Sequence, residues 1–128
     1  HAGWRGTAAG MAKAMVERMA QEFGSDPAQL QVAIGPSIGK GCFEVDEPVA
    51  VEFQKLPQWE KFVSGPEREK YHVDLWECNR QFLLSAGVLP EHITVGQVCT
   101  MCESDLVFSH RKTRGQRGSN CAMLALKP

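Results

Sequence analysis

Arg5-Gly6-Thr7 stands at the start of a run with helical periodicity. The first N–H groups of a helix lack intrahelical partners and its dipole favours negative charge, so an anion suits such a turn. Arg5 adds a planar, two-pronged donor matched to phosphate or carboxylate. An ordinary capped helix with a surface arginine uses the same residues. A second group is Cys99-Thr-Met-Cys102, a single CxxC. Zinc is held by such a pair when a second CxxC or a histidine pair completes the set, and neither occurs here at zinc-finger spacing. Thiols lining a strand end are the plainer account. Third, Phe108-Ser109-His110-Arg111 runs into a basic loop continued by Lys112, Arg114 and Arg117, which is either solvated or faces a phosphate. Fourth, the GPSIG loop at residues 35–39 lacks the Lys-Ser/Thr ending of a phosphate loop and the spacing of a dinucleotide fingerprint. His1 read by itself has no assignable chemistry.

The elements that must position these groups follow from apolar spacing. From Thr7 to Phe23, Ala8, Met11, Ala12, Met15, Val16, Met19, Ala20 and Phe23 recur on one helical face, with Thr7 as cap and Gly24 as stop. The Met-rich stripe reads as core. Asp26-Pro27 suits a short turn, and Leu30, Val32 and Ile34 alternate as a half-buried strand. Cys42–Val45 reads as a strand, Asp46 as the cap of a helix through Leu56, and residues 57–70 as a surface excursion. Tyr71–Val73 is a short strand, and Asp74 caps a helix that ends at Gly87. Ile93, Val95 and Val98 make another strand, and Leu106–Phe108 and Cys121–Leu126 two more. The alternation implies an α/β (α+β) layered domain with a mixed β-sheet and flanking helices.

Size and charge narrow the partners. A chain of 128 residues with 43% hydrophobic composition is the length of one domain with its own core. Lys and Arg number 14 against 15 Asp and Glu, so the positive field of a nucleic-acid or anionic-membrane binder is missing. Apolar runs fall short of a bilayer span, and no signal-peptide pattern is present. Five cysteines, an odd and scattered set, fit reduced thiols and a cytoplasmic address.

HAGWRGT at the start, IGPSIG followed by CFEV, DLWECNRQFLLSAGV, VCTMC and VFSHRK occur in this order. Together they resemble the family known as laccase-domain or polyphenol-oxidase proteins, YfiH-type purine nucleoside phosphorylases and peptidoglycan editing factors. The resemblance runs from His1 to about Leu126. It implies a zinc ion held by two histidines and a cysteine, of which His1 is the downstream histidine. The other two ligands lie upstream in family members, so residues 1–128 are expected to be the C-terminal portion of one family domain. None of the five cysteines is taken as the missing ligand. Ser37 stands where many members have cysteine, and the tail GQRGSNCAML differs from the TGR-type ending of many bacterial members.

The activity so implied is phosphorolysis of purine nucleosides, adenosine giving adenine and ribose 1-phosphate, with inosine, guanosine and methylthioadenosine as related substrates and adenosine deamination alongside. The catalytic residues are then His1 and Arg5. Arg5, Gly6, Thr7, Ser37, His110 and Arg111 are the candidates for substrate or phosphate. Nucleoside and phosphate are the expected partners, with no nucleic acid and no membrane. Competing readings are a copper-dependent polyphenol oxidase, a peptidoglycan editing role and a non-enzymatic CxxC interaction module. Copper oxidases need several histidine-rich sites, and only four histidines are present.

Overall fold

A computed structural model describes residues 1–125 and shows helices and strands alternating along the chain. Helices α1 (Trp4–Ala8) and α2 (Met11–Phe23) lead through a 3-10 turn at Pro27–Gln29 into β1 (Val32–Ile34). The remaining elements are β2 (Glu44–Val45), α3 (Glu47–Gln54), β3 (Val63–Glu67), β4 (Lys70–Val73), α4 (Leu75–Ser85) and β5 (Ile93–Val95). Parallel and antiparallel pairing are both present, in two sheets. β1 pairs in parallel with β5, while β4 lies between β2 and β3 in an antiparallel sheet. The expected α/β class is observed, with the sheet divided in two.

Helix α4 joins the layers. Asp74 accepts a hydrogen bond from the Glu77 N–H at 3.0 Å, which starts the helix, and Gly87 in the left-handed region (φ 96°) turns the chain away beyond its end. Leu75 and Cys78 pack with Phe43, Val45, Ala50, Phe53, Phe62, Val63 and Val73. Leu83, further along the same helix, packs with Val16 and Val88 in a second cluster reached by Val32, Ile34 and Ile93. Full burial of Phe53 and Phe62 contributes about 1.5–3 kcal/mol each.

Four expectations are corrected. The long first helix is broken at Gly10, whose φ of 75° no side chain adopts cheaply, and α2 starts after it. A Cβ on Gly10 would also stand 3.3 Å from the Phe82 ring. Thr7 is therefore interior to α1 and caps nothing, and of the expected core stripe only Val16 is buried while Met15 is 54% exposed. Second, residues 57–70 lie mostly at the surface as expected but are not merely an excursion: Phe62 and Val63 are buried and β3 pairs with β4 in the register Val63 to Val73 and Ser64 to His72. Third, Asp46 occupies the position before α3 but makes no cap bond, because its carboxylate pairs with Lys70.

Fourth, Leu106–Phe108 lies in a turn, and residues 121–125 form no strand. The Asn120 side chain takes the place of a strand partner: it accepts from the Phe108 N–H at 2.9 Å and donates to the Phe108 carbonyl at 3.0 Å. With its backbone satisfied by one amide, Phe108 needs no ladder. The end of the expected strand at Leu126 lies outside the described residues.

A buried relay ties the N-terminal turn to α4. The Asn79 amide donates to the Leu75 carbonyl at 2.8 Å and to the Thr7 hydroxyl at 3.1 Å, and that hydroxyl donates to the Ala2 carbonyl at 3.2 Å. Replacing Asn79 with alanine strands the Thr7 oxygen and opens a gap. Urea unfolding should show a loss of roughly 1–3 kcal/mol in Asn79→Ala, with a far smaller loss in Ser85→Ala, whose exposed hydroxyl bonds only its own helix.

Candidate functional site

The N-terminal turn carries two of the expected residues in the open. His1 is exposed, and its ring Nε2 lies 3.2 Å from where a Cβ on Gly3 would stand, so Gly3 leaves the imidazole its room. The His1 carbonyl faces Gly6 in the same way at 4.0 Å. The Arg5 guanidinium lies over the Trp4 ring, 4.3 Å from its centroid, and Trp4 packs on the main core cluster. Cation–π stacking on a fixed ring restricts the arginine without using its donors. Thr7 is placed differently from expectation: its side chain is fully buried and its hydroxyl is occupied by Ala2 and Asn79. Because α1 has only five residues, its dipole adds little, and the donors this turn could offer an anion are the Arg5 guanidinium and the first-turn N–H groups.

The glycine loop is seated against the chain after β5. Ser37 donates its N–H to the Val98 carbonyl at 3.2 Å, and its own carbonyl accepts from Thr100 at 3.0 Å, so its role here is made by its backbone. Two residues on, the Gly39 N–H donates to the Cys99 sulfur at 3.2 Å. A Cβ on Gly39 would stand 3.2 Å from the Trp76 ring and 3.4 Å from the Cys99 Cβ, so a side chain here would have to push its neighbours back by a few tenths of an ångström. The loop then delivers Cys42, whose sulfur lies 3.5 Å from that of Cys102. The sulfurs of Cys42, Cys99 and Cys102 all lie within 4.8 Å of one another, a group able to hold a metal ion.

The CxxC is thus not alone. Its third member, Cys42, comes from 60 residues before Cys102, and the one trace of it in the chain is a cysteine directly after a glycine-rich loop. The basic loop approaches the same region. Arg111 donates to the Glu44 carbonyl at 3.3 Å and its guanidinium lies 5.6 Å from the Phe43 ring, so it pins the loop to the chain beside Cys42. His110 stays exposed. Among the described residues no hydrogen bond or ion pair joins Ser37, His110 or Arg111 to His1 or Arg5.

The family model for multi-copper polyphenol oxidoreductase laccase matches residues 1–127. The chain belongs to this laccase family. It is 42% identical over 130 residues to purine nucleoside phosphorylase YlmD of Geobacillus stearothermophilus, covering 97% of this chain and 46% of that protein. Adenosine deaminase RL5, from an unknown prokaryotic organism, is 41% identical over 114 residues, covering 88% of this chain and 43% of that one. The crystal structure of YlmD from Geobacillus stearothermophilus matches with a TM-score of 0.85 at 43% identity, covering 92% of this chain and 44% of that chain. The chain spans less than half the length of these relatives.

Two kinds of metal donor are therefore present in this laccase-family chain, and they differ in completeness. A catalytic zinc takes three protein ligands and keeps a fourth position open. His1 supplies one imidazole, and among the described residues no group of three ligand-bearing side chains includes it. Taken alone, these residues do not make a catalytic zinc site. Two surface depressions, one apolar beside Phe62 and Phe82 and one polar beside Asp74, Trp76 and Arg80, are lined by neither His1 nor Arg5.

The thiols differ sharply from each other. Burial pushes Cys99 up, but backbone N–H groups of Gly39, Cys102 and Met101 outweigh it and lower the thiol to about 7. Hydrogen bonds with Cys42 and Cys99 raise Cys102 to about 11. Burial, with Asp74 and Glu77 nearby, raises Cys78 to about 12. Only the thiolate is nucleophilic, so in metal-free, reduced protein Cys99 should alkylate with a midpoint near pH 7, ahead of the more exposed Cys102. Peptide mapping after a brief iodoacetamide pulse at pH 7.5 reads the order. Labelling of Cys102 before Cys99 would contradict the assignment.

Proposed function

We propose that this chain is the C-terminal part of a zinc-dependent purine nucleoside phosphorylase of the cytoplasm, which also deaminates adenosine. The observation that carries this reading is the likeness over nearly the whole chain to proteins named for these two activities, on a chain whose exposed His1 and Arg5 share one short turn. In this reading His1 is one ligand of the zinc, and the remaining ligands stand on residues outside this chain. When bound, zinc supplies a water of pKa roughly 7 for hydrolysis at the purine ring.

Phosphorolysis breaks the bond between the purine nitrogen and ribose C1′ and forms a bond from a phosphate oxygen to C1′, with a proton going to the departing base. The nucleophile is an anion, and its charge must be held while it approaches an electron-poor carbon. Arg5 is suited to hold it, since its two-pronged donor matches two phosphate oxygens and stacking on Trp4 keeps it in place. Gly6 leaves the turn open beside it. His110 is exposed and available to the nucleoside, while Arg111 and Ser37 serve by fixing the two loops. Thr7 acts behind the surface, holding the turn to Asn79.

A copper polyphenol oxidase is the weaker reading. Multi-copper chemistry draws on clustered imidazoles, and no group of three donors among the described residues contains a histidine.

Incubation of the full-length protein with adenosine and inorganic phosphate should yield adenine and ribose 1-phosphate. Arg5→Ala should raise the KM for phosphate by about tenfold or more, the worth of a charge-assisted bidentate contact, while the KM for adenosine changes little. In His1→Ala, zinc content and turnover should fall together. Release of adenine that does not depend on phosphate, or an unchanged phosphate KM in Arg5→Ala, would remove Arg5 from the role.

A further inference from the structure

We infer that Cys42, Cys99 and Cys102 form a second metal site, one that takes a zinc ion through three thiolates and clips the glycine loop to the chain after β5. It is separate from any metal that His1 holds, and it does not depend on the reaction proposed above.

Three observations carry the site. The first is convergence: three sulfurs from two separate loops lie within 4.8 Å of one another. Ligands at a zinc–sulfur distance of about 2.3 Å in tetrahedral array stand roughly 3.8 Å apart, so small side-chain rotations close the triad on one ion. A disulfide would join two of these sulfurs and leave the third without a purpose. The second is support of the ligand: the Gly39 N–H points at the Cys99 sulfur, the outer contact that steadies a thiolate carrying negative charge. The third is donor type. An all-sulfur set selects soft or borderline ions and disfavours magnesium and calcium.

The position of the triad gives the ion a structural role. Cys42 lies 60 residues from Cys102, so one ion closes a long loop whose ends otherwise meet through the backbone hydrogen bonds of Ser37 and the Gly39 N–H on the Cys99 sulfur. The clip would hold Gly39 under Trp76 and place the loop that carries Phe43, on which Arg111 rests. Three protein ligands leave a fourth position for water.

Cobalt(II) is the probe, because its bonds to thiolate give a charge-transfer band and its tetrahedral sites give intense visible bands. The full-length protein would be purified reduced, stripped of metal and loaded with cobalt in a His1→Ala background, which removes the other centre. The thiolate band should persist there, at one equivalent, and disappear in His1→Ala combined with Cys102→Ser. Zinc, competed against a chromophoric chelator, should bind the Cys102→Ser protein more weakly by well over the roughly tenfold that loss of an outer partner costs. Cys42→Ser should behave alike, and Cys121→Ser, whose thiol stands outside the triad, should leave the band unchanged. In hydrogen exchange, zinc should slow the amides of residues 37–42. Absence of the band in His1→Ala, its survival in Cys102→Ser, or a Cys42–Cys102 disulfide in protein thiol-trapped directly from cells would overturn the proposal.

Discussion

Asn79 lies on the inward side of α4 with both amide hydrogens engaged, one by the Leu75 carbonyl and one by the Thr7 hydroxyl. The turn that presents His1 and Arg5 depends on that second bond. A helix of five residues is too short to persist by itself, since each first turn fixes several dihedrals for a single hydrogen bond. Trp4 supplies apolar anchorage to the core, and the Asn79–Thr7–Ala2 relay supplies direction. Gly10 then redirects the chain into α2, because its backbone reaches the left-handed region and its missing side chain admits Phe82. The order of causes runs from a buried amide to an ordered turn that carries two exposed groups.

A second constraint, also on α4, shapes the other face. Trp76 lies against Gly39, and Cys99 flanks the same glycine from the chain after β5. A Cβ would crowd this approach, in which the Gly39 N–H reaches the Cys99 sulfur. The parallel pairing of β1 with β5 brings the two chains side by side, and between Ile34 opposite Val95 and Ser37 opposite Cys99 the second chain gains one residue, where Gln97 turns into the left-handed region (φ 52°). The thiols therefore meet through the pairing of the two chains together with that one-residue shift.

Much of this was legible in the chain, and the losses have physical causes. Asp74 and Gly87 mark α4 because capping and left-handed termination are local, and the periodicity of Leu75, Cys78 and Leu83 is carried by one helix. The family motifs, read as a set, pointed to the right family. What failed was tertiary. Gly10 reads as a tolerable glycine inside a periodic stretch until Phe82 is placed above it. Phe62 and Val63 are two apolar residues in a polar, proline-broken segment, too few to show alternation, yet β4 needed a partner and found one there. Asn120 replaced a strand by a side-chain amide, a substitution that no hydrophobic pattern records. Thr7 was legible as a cap and is a buried strut, because only the packed α4 brings Asn79 to it. Cys42 could not be joined to the CxxC without the bridge of Ser37 to Cys99 beyond β1 and β5.

Placing an imidazole at one end and three thiols at another bears on how metal in such a protein should be understood. An all-sulfur triad has high affinity for copper as well as zinc, since soft ligands hold Cu(I) firmly. Copper recovered with the protein would therefore say more about the thiols than about oxidation of phenols. Oxidase chemistry needs histidine-bound copper that exchanges electrons and meets dioxygen, and the described histidines do not gather into such a group. In the proposed function His1 would hold a borderline ion with an open position, and Arg5, stacked on Trp4, would hold an anion. The triad stands where an ion stiffens a loop. Metal identity and catalytic role would thus separate by ligand chemistry, with His1→Ala and Cys102→Ser each removing one of the two donor groups.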